Sequence, residues 1–138
     1  MSKNQEQPDL TAVNGVPAFG EQRAELVRVV ELLDLSPLHS IASDIFVSRF
    51  RILLGAIEEF FRQEEELLNC CAAPAEVRQL HIADRERIRK ILHDIEMNSA
   101  RKKNQTAVEV YAGIRFEIDR HIECFSFELG RHVPPSMH

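Results

Sequence analysis

Residues 60–68 read FFRQEEELL, with two phenylalanines ahead of three consecutive glutamates. At helical spacing, one face of this segment is almost entirely apolar and carries Ile57, Phe60, Phe61, Glu64, Leu67 and Leu68. Glu64 falls on the apolar stripe, whereas Glu65 and Glu66 can face water. Because burying an unpaired charge costs several kcal/mol, the segment predicts a helix whose Glu64 meets a partner in the core.

The same periodicity extends over most of the chain. Apolar stripes predict one helix over residues 19–35, a second from about 44 to 71, and two more on either side of a polar connection at 98–105. Four amphipathic helices with short connections predict an all-α, antiparallel up-down four-helix bundle. We assign the bundle to residues 18–132, a flexible N-terminal arm to the proline- and asparagine-containing residues 1–17, and a C-terminal tail to 133–138.

Composition limits the kinds of molecule that the chain is expected to bind and the cellular compartment in which it is expected. The chain has 138 residues, 44% of them hydrophobic, and a net charge of −5, which argues against nucleic acid or an anionic membrane as the main partner. No secretory signal is visible and no apolar run reaches the roughly 20 residues of a membrane span. The odd set Cys70, Cys71 and Cys124 then predicts reduced, buried thiols in the cytoplasm. The sequence is compatible with a protein partner, and with either a monomer or a homodimer.

Several ionisable residues fall on the predicted inner stripes. They are Arg23 on the first helix, Glu64 on the second, His81 with Asp84 or Arg85 on the third, and His121 on the fourth. In so small a core we expect these groups to satisfy one another or to meet a metal ion. Two imidazoles and one carboxylate suit Fe(II) and leave coordination positions open. Glu64, His81 and His121 provide this set from three helices.

Four segments together resemble a known family. EQRAEL, FFRQEEELL, HIADR and RHIECFS are similar in order and spacing to the ligand segments of the bacterial hemerythrin-like family, whose later motifs read HFxxEE, HxxxH and HIxxxD. The resemblance covers residues 18–130. It implies a four-helix bundle, and in the family that bundle holds two non-haem irons and binds oxygen reversibly.

Carried over by position, the resemblance gives an incomplete ligand set. Three of the family's seven ligand positions are retained as Glu64, His81 and His121. The other four carry different residues, namely Arg23, Phe60, Arg85 and Ser126. Arg23 and Phe60 replace both histidines of one iron. The resemblance therefore implies a bundle that has lost the di-iron centre and, with it, reversible oxygen carriage.

Two main hypotheses follow. In the first, the bundle holds no cofactor and acts as a binding or regulatory module, with Arg85 or Arg23 paired to Glu64 in place of the irons. In the alternative, Glu64, His81 and His121 bind one Fe or Zn ion, as in a sensor of oxygen or nitric oxide. A third hypothesis uses the two arginines to anchor a small organic or anionic ligand. No nucleophile–base pair is evident, so an enzyme is not expected.

Overall fold

The computed structural model of the chain describes residues 10–70 and 72–126. This part of the chain forms the helices α1 (Leu10–Glu31), α2 (Asp44–Cys70), α3 (Ala75–Ala100) and α4 (Ala107–His121), followed by a π-helical turn (Ile122–Ser126). The all-α class predicted from the stripes is confirmed. No helix among these residues is long and apolar enough to cross a membrane.

Helix α1 is longer than the periodicity predicted. It begins at Leu10, so residues 10–17 are helical and the flexible arm assigned to 1–17 is wrong for that part. The assignment relied on the prolines, asparagines and glycine of residues 1–17, of which Asn14, Gly15 and Pro17 lie within the helix. Extending an existing helix is far less costly than nucleating one, so the helix can continue through them. Residues 1–9, and the predicted bundle end and tail at 127–138, lie outside the described residues.

The core is built around the inner stripe of α2. Its buried residues are Phe46, Phe50, Leu53, Ile57, Phe60, Phe61, Glu64, Leu67 and Leu68. Helix α1 packs on α2 and α4, and α3 packs on the same two helices. Full burial of a Phe or Leu side chain stabilises the fold by about 1.5–3 kcal/mol. A single carboxylate stands inside this apolar set, at Glu64.

The connections at one end of the fold fix the start of α4. Ala107 N–H donates to the carbonyl of His39 over 2.9 Å, and Ile41 N–H donates to the carbonyl of Gln105 over 3.0 Å. Thr106 and Glu109 then form a reciprocal capping box on the first turn. These bonds set where α4 begins and therefore which of its residues, including His121 at its end, face the core.

Two expectations about burial are wrong. Arg23 was placed on the inner stripe of α1 but is exposed. The buried stripe runs through Leu26, Val30 and Leu33, and one turn before Leu26 it passes through half-buried Gln22 instead. Cys70 and Cys124, expected to be buried, are also exposed.

Candidate metal site

Glu64, His81 and His121 converge in the core, each from a different helix. All three are buried, and each offers a donor atom within 4.8 Å of the other two. Nε2 of His121 lies 2.8 Å from one oxygen of Glu64 and 3.1 Å from the other. Nδ1 of His81 lies 3.5 Å from Oε1 of Glu64. The structure thus brings together the three residues that the sequence analysis grouped.

Aromatic rings close one side of this cluster. Phe60 and Phe61 precede Glu64 by about one helical turn, and both rings meet the His121 ring edge to face, with centroids 6.1 and 5.5 Å away. The His81 ring is also perpendicular to that of His121, at 6.2 Å. Phe60 occupies a position where the hemerythrin-like pattern has a histidine, so it supplies an apolar wall where that pattern supplies a ligand.

Asp84 also belongs to the cluster, although the ligand set predicted from the sequence did not include it. Its Oδ2 accepts a hydrogen bond from Nδ1 of His121 over 2.6 Å. Its Oδ1 accepts from Arg87 and from Arg120. The available signal was its position three residues after His81, which puts it on the same helical face. Periodicity left Asp84 and Arg85 as alternatives for one place on the stripe, and both are buried.

Arg85 lies near Glu64, but it forms no hydrogen bond with this carboxylate among those of the described residues. Its Nη2 lies 2.7 Å from Glu65, and Nη1 donates to the carbonyl of Phe61 over 3.2 Å. Its Nε lies 3.8 Å from Oε1 of Glu64, an ion-pair contact beyond hydrogen-bond distance. The Glu65 side chain is 41% exposed, so pairing there leaves part of the ion pair in water and reduces the desolvation penalty. The hydrogen bonds of Glu64 come from imidazole.

Arg23 lies apart from this cluster. Arg23 and Val27 of α1 line a surface cleft of about 420 Å³. Asp119 of α4 and Ile122 of the π-helical turn line the same cleft. The metal-free hypothesis named Arg23 as one possible partner of Glu64. Arg23 does not fill that role. Ser126 ends the π-helical turn, and its side chain lies outside the described residues.

The electrostatics favour a charged cluster. Burial raises the pKa of Glu64, but hydrogen bonds from His121 and His81 outweigh burial and hold the pKa below its usual value. Burial likewise opposes ionisation of Asp84, yet His121, Arg120 and Arg87 keep its pKa lowered. Burial lowers the pKa of His121, and the bonds to Glu64 and Asp84 reverse that effect and raise it. His121 is thus stabilised as an imidazolium between two carboxylates.

Comparison of the chain with protein-family models, curated proteins and solved structures finds no match. The resemblance to the hemerythrin-like family therefore stays a prediction from the sequence.

The donor atoms do not fit two irons. Of the two positions that the resemblance assigns to the first iron, Phe60 offers a hydrocarbon ring and Arg23 is an exposed cation. A single ion fits better, because one carboxylate and two imidazoles are buried together and His121 already has a carboxylate on its other ring nitrogen.

Proposed function

We propose that the chain is an antiparallel up-down, hemerythrin-like bundle that binds one divalent cation, Zn²⁺ or Fe²⁺, through Glu64, His81 and His121. The observation that carries this proposal is the convergence of three buried donors from three helices within 4.8 Å. Buried groups of this kind are typical of functional sites, because their placement costs stability unless they are paired or bind a metal. Reversible oxygen carriage by two irons is not part of the proposal.

The donor set selects the kind of ion. Two imidazoles and a carboxylate hold Fe²⁺ at three positions and leave others open, and the same three ligands are used by catalytic zinc sites. An ion with open positions supplies a place for a small molecule such as oxygen or nitric oxide, which is the basis for a sensor. The chain would contribute the ligands, the apolar wall of Phe60 and Phe61, and the orientation of His121.

A metal-free regulatory bundle is the second candidate, and one observation favours it. Glu64 already accepts a hydrogen bond from His121 Nε2 over 2.8 Å and has Arg85 Nε at 3.8 Å, so its charge is balanced by the protein alone. In that case the polar cluster would serve the fold, and a protein partner would bind on the helix exteriors.

Metal titration separates the two candidates. Protein purified without added metal is titrated with Zn²⁺, and anaerobically with Fe²⁺, and the bound metal per chain is measured. We expect one ion per chain, lost in Glu64→Gln and in His81→Gln. Glu66→Gln and His93→Gln, which change exposed residues on the same two helices, serve as matched controls and should bind normally. Absence of uptake, or uptake unchanged by Glu64→Gln, would reject the cation site and leave the metal-free bundle.

A further inference from the structure

The two carboxylate oxygens of Asp84 accept hydrogen bonds from different partners. Oδ1 is held by Arg87, with Nη2 at 3.1 Å and Nε at 3.2 Å, and also by Arg120. Oδ2 is left for Nδ1 of His121, at 2.6 Å. The residue is only 7% exposed, so this carboxylate is an interior group anchored from the surface side by two guanidinium groups.

The anchoring determines how the His121 ring is presented. With Nδ1 held by Asp84, the opposite ring nitrogen Nε2 faces Glu64 and lies in the cluster with His81. The rings of Phe60 and Phe61 stand at 74° and 63° to the imidazole and restrict its rotation about the side-chain axis. A ring turned by 180° about its Cβ–Cγ bond would place the Cδ2–H group against the Asp84 carboxylate and lose the hydrogen bond from Nδ1.

We infer that Asp84 is a positioning residue of the cation site: it fixes His121 with Nδ1 protonated and Nε2 presented to the ion, and Arg87 and Arg120 hold Asp84 in that role. This inference rests on the proposed function for its effect on metal affinity. Its structural part concerns the protein without metal and can be tested separately. Carboxylates on the outer nitrogen of a ligating histidine commonly change metal affinity by about 10–100-fold.

The first measurement uses the unaltered protein without metal. In protein labelled with ¹⁵N at histidine, long-range ¹H–¹⁵N correlation identifies which ring nitrogens of His121 carry protons, and loss of the signals in His121→Gln assigns them. We expect a protonated Nδ1 whose proton exchanges slowly and resonates far downfield, as in a short bond to a carboxylate. A His121 ring without a proton on Nδ1 would overturn the inference with no variant needed.

The second measurement compares Zn²⁺ affinity by competition with a chelator. Asp84→Asn should bind Zn²⁺ about 10–100-fold more weakly, and Asp84→Glu, which restores a carboxylate, should recover part of the loss. Asp94→Asn is the matched control because it makes the same change on the exposed face of α3, where Asp94 pairs with Lys90. Thermal melts of all three variants show whether each is folded.

The outcomes separate the positioning role of Asp84 from the existence of the cation site. Equal Zn²⁺ affinity in folded Asp84→Asn and in the unaltered protein would overturn the positioning role. If Asp84→Asn does not fold, the affinity of Asp84→Glu and the Nδ1 signal of the unaltered protein decide. Should no variant and no unaltered protein bind Zn²⁺ while the Nδ1 proton is present, the proposed cation site fails and the orientation of His121 by Asp84 stands.

Discussion

Replacement of Glu64 by glutamine tests the central feature of the core, because it removes a buried negative charge and almost no volume. Glu64 is 0% exposed and accepts from His121 Nε2 at 2.8 and 3.1 Å. The glutamine amide keeps one acceptor oxygen, but its NH₂ group has only donors. In the metal-free protein the amide oxygen can still accept from Nε2 of His121 in place of one carboxylate oxygen, but the NH₂ group cannot replace the other.

The expected cost follows from this geometry. Hydrogen bonds to charged groups contribute about 1.5–3 kcal/mol, and removing one partner of a buried ion pair costs about 3–5 kcal/mol. His121 can release its proton once Glu64 is neutral, which relieves part of the penalty. We therefore expect Glu64→Gln to lower the free energy of unfolding by about 2–3 kcal/mol near pH 6, closer to the lower of these ranges.

Urea unfolding of the metal-free protein, followed by circular dichroism, measures this difference. Glu66→Gln is the matched control: it is the same substitution two residues away, where the side chain is 60% exposed and pairs with Arg62. Surface pairs contribute about 0–1 kcal/mol, so that variant should unfold almost as the unaltered protein does. The reasoning is refuted if both variants lose the same small amount of stability.

Three further expectations concern the pH dependence of stability, the cap of α4 and the buried guanidinium of Arg85. The lowered pKa values of Glu64 and Asp84 contribute stability above their usual values of 4.5 and 3.8, and this is lost as pH falls through the lowered values. The raised pKa of His121 contributes stability that is complete below 6.5 and is lost as pH rises through the raised value. Metal-free protein should thus melt at its highest temperature between about pH 4.5 and 6.5, and a melting temperature that still climbs above pH 8 would contradict this. Thr106→Ala removes the side-chain cap of α4 and should cost about 1 kcal/mol in urea unfolding, whereas no change would mean that α4 starts elsewhere. Arg85→Met removes a positive charge 3.8 Å from Glu64 and should tighten Zn²⁺ binding about tenfold in a chelator competition; weaker binding would show that Arg85 supports the site.

Helical periodicity was enough to find the members of the buried cluster that lie in the middle of strong stripes. Glu64 stands between Phe60 and Phe61 on one side and Leu67 and Leu68 on the other, so any amphipathic helix through this segment must bury it. His81 and His121 follow from the same rule on their own helices. The all-α class follows too, because long stripes with few turn residues leave no other way to bury the apolar side chains.

Periodicity was weaker where a stripe has an edge or an end. Arg23 lies where the α1 stripe drifts away from the core, and the helix itself extends to Leu10 through residues that usually break helices. Local sequence does not record how far neighbouring helices cover each turn. The start of α1 and the exposure of Arg23 were therefore decided by helix propagation and packing.

The positions of one carboxylate and two imidazoles on the apolar stripes were enough to place all three in one helical core, because they leave these groups no other side to face. How those groups pair depends on the packing of the helices against one another. Asp84 and Arg85 are adjacent in the chain and equally compatible with the stripe, yet Asp84 meets His121 while Arg85 turns to Glu65. That choice depends on which side chains the facing helices present, and a pattern along one helix does not contain it.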